Sequence, residues 1–295
     1  MNHSRINTNG ITLHVAQDGP ETGELIILLH GFPEFWYGWR RQIPALAGAG
    51  YRVWVPDQRG YNESDKPQGI AAYAIDKLSA DVIGLMDAAG VEKATVVGHD
   101  WGAAVAWWTA MTYPDRVAKL IVLNVPHGSV MQAFLRKNLG QLWKSWYIFF
   151  FQIPWLPEKL MGLNHWQAAA RGLAGSSRPG TFSEADLAQY RQAWSQPKAF
   201  TSMINWYRAL IQKPPQTPAN MRIHVPTLVL WGAQDKFLSR EMAQESMAYC
   251  DDGQLVYFEE ATHWVQHEEV TKVNELILHF LIHQGHEAHE GKEEF

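Results

Sequence analysis

The 295-residue chain contains one cysteine, Cys250. A single thiol excludes an intramolecular disulfide, and with no cysteine motif around it Cys250 is read as inert. Excess positive charge is also missing. Twenty-five Lys and Arg face 30 Asp and Glu, for a net charge of -5, and no basic stripe is visible, which argues against nucleic-acid binding. Residues 1–10 are polar and lack the apolar core of a signal peptide. The most apolar stretch, 146–156, is too short to span a bilayer and contains Pro154. These absences lead to the expectation of a cytoplasmic protein with neither nucleic acid nor membrane as partner, a monomer or a homodimer.

What is present is a large core. The chain is 46% hydrophobic and 19% charged, and its length suits one large domain, or a domain with a lid. The first third alternates strand-like and helix-like segments. Residues 11–16 read as an edge strand, and 25–29 as a continuous apolar strand ending in His30-Gly31-Phe32-Pro33. Residues 52–55 form another short strand, followed by Asp57-Gln58-Arg59-Gly60-Tyr61. Segment 75–88 has helical spacing, with Gly90 placed as its C-cap. Strands are expected at 93–97 and 120–125, with a helix at 103–111 between them. Short apolar runs separated by helices imply a mostly parallel, doubly wound α/β sheet covered on both faces. Ligands bind such sheets beyond the carboxyl ends of the strands, where His30, Asp57 and Asp100 lie.

The character changes after Pro126. Residues 128–218 are helix-rich, aromatic and broken by prolines and glycines, with a loop read at 172–180 and a helix opening at Thr181 or Ser183 as N-cap. Six of the fourteen tryptophans (Trp143, Trp146, Trp155, Trp166, Trp194, Trp206) fall in this part, where most are expected to pack a helical core. Strand patterns return at 225–232 and 255–259, and a final amphipathic helix is read over 265–282. The organisation expected is therefore a core of 1–127 and 219–283, a helical lid of 128–218 inserted between two strands, and a His- and Glu-rich tail of 284–295.

The run Gly98-His99-Asp100-Trp101-Gly102 carries the chemistry. Gly-x-Asp-x-Gly between a strand and a helix has the spacing of a nucleophile elbow, the sharp turn with which α/β-hydrolases present a nucleophile. Taken alone it is read equally well as a buried Asp capping the next helix. An aspartate at the nucleophile position is already ionised at neutral pH and can attack a saturated carbon to form an alkyl ester. Water must then cleave that ester, which requires a base and an acid to orient it. Asp235 follows the 225–232 strand and His263 follows the next one, giving the order nucleophile, acid, histidine. The position after the 120–125 strand carries Asn124, which cannot ionise, so Asp235 is the expected orienting acid. The backbone N–H groups of Phe32 and Trp101 are the candidates for an oxyanion hole. Glu34 and His99 flank the site in sequence; positioning water is one role open to each, and a local structural hydrogen bond is the expected one.

These pieces resemble the epoxide hydrolases of the α/β-hydrolase superfamily along nearly the whole chain. The matching motifs are His30-Gly31-Phe32-Pro33-Glu34, Asp57-Gln58-Arg59-Gly60-Tyr61, the Asp100 elbow, Asn124-Val125-Pro126-His127, the Asp235 loop, and His263-Trp264 with Gln266-His267-Glu268. The elbow and His-Gly-x-Pro pieces are shared with dehalogenases. The resemblance implies two lid tyrosines that bind the epoxide oxygen: Tyr207 in Asn205-Trp206-Tyr207-Arg208, and Tyr147 ahead of Phe151-Gln152-Ile153-Pro154, with Tyr190 as the alternative to Tyr147. A neutral tyrosine can donate to the oxygen of the opening ring, which would otherwise leave as a strongly basic alkoxide. Phe32, Trp101, Tyr147 and Tyr207 are then the substrate-binding residues for a small apolar epoxide, water is the second reactant, and no cofactor or metal is required. Two rivals use the same fold: a haloalkane-type dehalogenase, for which Phe32 lacks the donor of a halide-binding Asn, and a non-catalytic receptor, which has no need of Asp100, Asp235, His263 and two tyrosines together.

Overall fold

The computed structural model describes residues 1–218 and 220–283, so the expected tail of 284–295 lies outside the described residues. One eight-stranded sheet organises them, in the order β1-β2-β4-β3-β5-β6-β7-β8. β1 (Asn2–Thr8) and β2 (Ile11–Asp18) form an antiparallel hairpin, and β2 pairs antiparallel with β4 (Arg52–Pro56). From there β3 (Leu25–Leu29), β5 (Ala94–His99), β6 (Val117–Leu123), β7 (Thr227–Gly232) and β8 (Gly253–Phe258) run parallel. The strand read at 11–16 is therefore not the edge. The edge is β1, whose Asn2-His3-Ser4-Arg5-Ile6-Asn7-Thr8 is too polar to show an apolar run.

The continuous apolar strands serve two cores because alternate residues face opposite sides of a sheet. Ile27 and Leu29 belong to the core beneath α2 (Ile75–Ala89) and α3 (Trp101–Thr112), while Ile26 and Leu28 belong to the one beneath α1 (Ile43–Gly48) and a C-terminal helix. Gly90 ends α2 in the left-handed conformation at φ 72°, as a C-cap glycine does.

Between β6 and β7 the chain runs through α4 (Gly128–Lys137), α5 (Leu139–Lys144), α6 (Trp146–Phe150), α7 (Leu156–Met161), α8 (Leu163–Ser176), α9 (Glu184–Trp194) and α10 (Ala199–Gln212). α8 continues through Gly172 and Gly175, so the loop read at 172–180 begins only after Ser176. Ser183 caps α9 in a capping box with Asp186. α11 (Glu241–Ser246) connects β7 to β8. The helix read over 265–282 is two pieces, α12 (Val265–Glu268) and α13 (Val270–His283), separated at Glu269, whose φ is -122° and ψ 43°. Among the described residues no helix is long and apolar enough to cross a membrane.

The tryptophans of the insertion divide. Trp194 and Trp206 are buried, but Trp143, Trp146 and Trp155 are exposed. The expected packing role thus fails for three of the six.

Candidate active site

Asp100 stands between β5 and α3 at φ 50° and ψ -122°, a backbone conformation that L residues rarely adopt. Two glycines make the bend possible by close approach. A Cβ on Gly102 would lie 2.1 Å from the carbonyl oxygen of Leu29, and one on Gly31 would lie 2.4 Å from Cβ of Asp100. The Asp100 carboxylate makes no capping bond to α3, which removes the helix-cap reading. Its Oδ1 instead accepts from the Phe32 N–H at 2.7 Å. Trp101 opens α3, where a backbone N–H has no acceptor within the helix.

His263 arrives on the loop after β8. Its Nε2 is 3.5 Å from Oδ2 of Asp100, and its Nδ1 is 2.7 Å from Oδ2 of Asp235. Burial works to strip the proton from the imidazole, but the Asp235 charge and the Asp100 carboxylate outweigh it, and the pKa is raised to about 10. Asp235 is fully buried, whereas the Asp100 side chain keeps 16% of its exposure, so only the first carboxylate of the row is reachable. Burial likewise opposes ionisation of Asp235. It is overcome by His263, by the Nδ2 of Asn124 donating at 2.8 Å and by the Phe237 and Leu238 N–H groups at 2.7 and 2.9 Å, and the pKa is lowered. Asn124, set aside in the sequence because it cannot ionise, holds the acid in place: its Oδ1 also accepts from Gly232 N–H at 2.9 Å. The available signal was its place in the Asn124-Val125-Pro126-His127 motif; in the structure it stands at a strand end with φ 51°.

Two tyrosines lie against this row. The Tyr207 ring meets Phe32 edge-on at 5.2 Å and Trp101 at 5.0 Å between centroids. Tyr147 meets Tyr207 at 5.8 Å and Phe237 at 5.8 Å. The pKa of both hydroxyls is raised, by burial first and then by the Asp100 charge, which keeps them protonated as donors. Tyr190 is elsewhere, its hydroxyl donating to Oε1 of Glu34 at 2.8 Å. His30 and Asp57, though at strand ends, serve the frame. The backbone N–H of Gln58 donates to His30 Nε2 at 3.1 Å, and Asp57 accepts from Trp36 N–H and Asn62 and sits 2.6 Å from His14 Nδ1.

A family model for the alpha/beta hydrolase fold matches residues 24–270. The AB hydrolase superfamily protein YfhM of Bacillus subtilis is 50% identical over 95% of this chain and 97% of its own length. Human Epoxide hydrolase 4 is 38% identical over 94% of this chain and 77% of its own. A crystal structure of a Bacillus megaterium epoxide hydrolase in complex with an inhibitor superposes with a TM-score of 0.85, at 30% identity, covering 94% of this chain and 99% of that one. The chain belongs to the epoxide hydrolase family of the α/β-hydrolase superfamily. It is a hydrolase with that family's fold.

Within this member of the family, the residue that sequence reasoning underrated is Glu34. Its buried carboxylate gathers Tyr190 Oη at 2.8 Å, His267 Nε2 at 2.7 Å, His99 Nδ1 at 3.1 Å and Gln266 Nε2 at 3.2 Å. Burial opposes its charge, but His267 and His99 prevail and its pKa is held well below the usual carboxylate range. His99 continues the chain of contacts, its Nε2 lying 2.8 Å from the carbonyl oxygen of His263. The bonds are structural, as expected of Glu34 and His99, but they are not local: they join the Phe32 loop, β5, α9 and the His263 loop.

Proposed function

We propose that the protein hydrolyses epoxides to vicinal diols through an alkyl ester on Asp100, with the insertion of 128–218 acting as a cap over the site. The observation that carries this reading is the alignment of Asp100 between the Phe32 N–H and His263 Nε2, with Tyr207 packed on Trp101 and Tyr147 on Tyr207. Names and structures of the relatives support epoxides as the substrate class.

The epoxide oxygen accepts from the Tyr147 and Tyr207 hydroxyls while Asp100 Oδ2 attacks a ring carbon. The C–O bond of the ring breaks, its electron pair stays on oxygen, and a tyrosine proton neutralises it. The negative charge of Asp100 helps to hold both tyrosine protons in the resting site. Ester formation consumes that charge just as charge develops at the ring oxygen, so the donors are strengthened in the transition state. The same change acts on His263. Flanked by two carboxylates it holds a proton. With Asp100 esterified it holds that proton less tightly and passes it towards the tyrosinate left by ring opening. Neutral His263, oriented by Asp235, then takes a proton from water. The resulting hydroxide attacks the ester carbonyl carbon, and the Phe32 and Trp101 N–H groups bind the oxyanion. Collapse expels the alkoxide, which takes the proton of the new Asp100 carboxyl to leave as the diol, restoring the Asp100 carboxylate beside protonated His263.

The deciding experiment combines styrene oxide, heavy-oxygen water and two variants. In a single turnover the label should enter the Asp100 carboxylate and not the diol. His263→Gln should accumulate a substrate-mass adduct on the peptide carrying Asp100, and Asp100→Asn should lose roughly 10⁴-fold or more in turnover. Label appearing directly in the diol would remove the covalent route. Halide release from short haloalkanes without diol formation would make the protein a dehalogenase.

A further inference from the structure

Helix α5 is inside out, and α6 is apolar on its outer as well as its inner side. A surface helix normally turns its polar side to water and its apolar side to the core. Here Gln141 and Ser145 are completely buried, and Gln141 Nε2 donates to the Phe237 carbonyl at 2.8 Å and to Ser145 Oγ at 3.0 Å. The outward side carries Leu139, Leu142, Trp143, Trp146 and Phe149, of which Leu139 is 77% and Trp143 79% exposed. Steps of three and four residues put these on one stripe. A contiguous apolar surface of this kind marks an interaction site. From Leu139 to Phe149 the stripe is about 15 Å long at the helical rise, too short to span a bilayer but suited to lying along one.

The charge around it selects the occupant. Segment 128–171 carries five cations (Arg136, Lys137, Lys144, Lys159 and Arg171) and one carboxylate, Glu158, in a chain whose net charge is -5; of the five, Lys144 turns inward and donates to the Asp235 carbonyl at 3.3 Å. Glu158 is already paired with Arg208 at 2.7 Å. Arg136 and Lys137 are exposed immediately ahead of the stripe. Two copies meeting face to face would set these cations against each other, whereas an anionic lipid surface supplies their counter-charge. Exposed Trp143 and Trp146 each present a broad apolar ring with one N–H, the form that settles at headgroup level.

We infer that the outer face of α5 and α6 is a peripheral docking surface for anionic phospholipid bilayers. No membrane partner is expected from the sequence because no run is long enough to span a bilayer, and a docking stripe on two short helices requires none. The inference does not depend on the epoxide chemistry. Tyr147 extends from the opposite side of α6 towards Tyr207 and Phe237, so the surface and the candidate site use different sides of one helix.

The test is co-flotation of the full chain with vesicles of phosphatidylcholine alone or mixed with phosphatidylglycerol. Binding is expected to the anionic vesicles and to weaken with salt. Leu139→Ser combined with Trp143→Ser should lower partitioning roughly tenfold or more without changing the melting temperature. Arg136→Glu with Lys137→Glu should also lower it. Absence of flotation with either vesicle, or flotation unaffected by both pairs of substitutions, would overturn the inference. So would a solution dimer that the Leu139→Ser and Trp143→Ser pair splits into monomers, since the stripe would then be covered by a second copy.

Discussion

Asp100 occupies a backbone conformation, φ 50° with ψ -122°, of the sort that costs about 1–3 kcal/mol and persists only where the surroundings enforce it. The surroundings here are the close-approach glycines and the Phe32 N–H, and what they enforce is exposure of one carboxylate beside a buried histidine. The two tyrosines differ in how firmly they are held. Tyr207 is buried, walled by Phe32, Trp101 and Phe151, whereas Tyr147 is half-buried. If both donate to the ring oxygen, Tyr207→Phe and Tyr147→Phe should each slow ester formation by about 10²–10³-fold, the usual effect of losing one donor to a developing oxyanion, and leave hydrolysis of the formed ester nearly unchanged. Rapid-quench mass spectrometry on the Asp100 peptide separates the two steps. An ester-formation rate untouched by Tyr207→Phe would take that hydroxyl out of the reaction.

At the scale of elements, the central strands were legible because parallel strands buried on both faces are plain apolar runs, and Asp100, Asp235 and His263 were legible as candidates because each lies on the loop after a strand, within five residues of its end. β1 was not, since an edge strand is held by backbone pairing to β2 and its side chains need no pattern. The break at Glu269 also left no mark, because both sides keep helical spacing. His127, quoted only as part of a motif, proves to be the N-cap of α4. Its Nδ1 accepts from Ser129 N–H at 3.2 Å while its ring stacks on Tyr249 at 4.2 Å. An acceptor at Nδ1 requires the neutral ring, and burial lowers the pKa from 6.5 to about 4. A depressed histidine favours the folded state only while it is neutral. Its contribution is present in full above pH 6.5, where both folded and unfolded histidines are neutral, and is lost as pH falls towards 4, where the unfolded chain binds the extra proton. The linkage is worth up to about 3 kcal/mol over that span. Urea unfolding at pH 7 and pH 4.5 should show His127→Phe, which keeps the stack but not the cap, less stable at pH 7 and less sensitive to acid than the parent. An identical acid loss in both would mean that His127 does not titrate on unfolding.

Across the whole molecule the insertion and the sheet are fastened by contacts that no local sequence window contains. Glu34, His99, Tyr190 and His267 come from four separate stretches, and their meeting became visible only with the fold. α9 makes part of the attachment. Besides Tyr190 on Glu34, Trp194 Nε1 donates to the Pro33 carbonyl at 2.6 Å, and Asp186 pairs with Arg40 at 2.8 Å. Trp206 of α10 adds a bond from its Nε1 to the Arg59 carbonyl at 3.0 Å. Because the bonds to Glu34 and Pro33 end on the loop that carries the Phe32 N–H, the insertion cannot detach without disturbing the candidate oxyanion hole, and both parts are expected to unfold together. Tyr190→Phe tests this with little change in shape. It removes one donor from a buried carboxylate, a hydrogen bond to charge worth about 1.5–3 kcal/mol. A single transition shifted by that amount, followed in parallel by far-UV and near-UV circular dichroism, is the expected result. An earlier near-UV loss, while the far-UV signal of the sheet and its helices persists, would show the insertion coming away alone, with the Glu34 bonds serving only to position it.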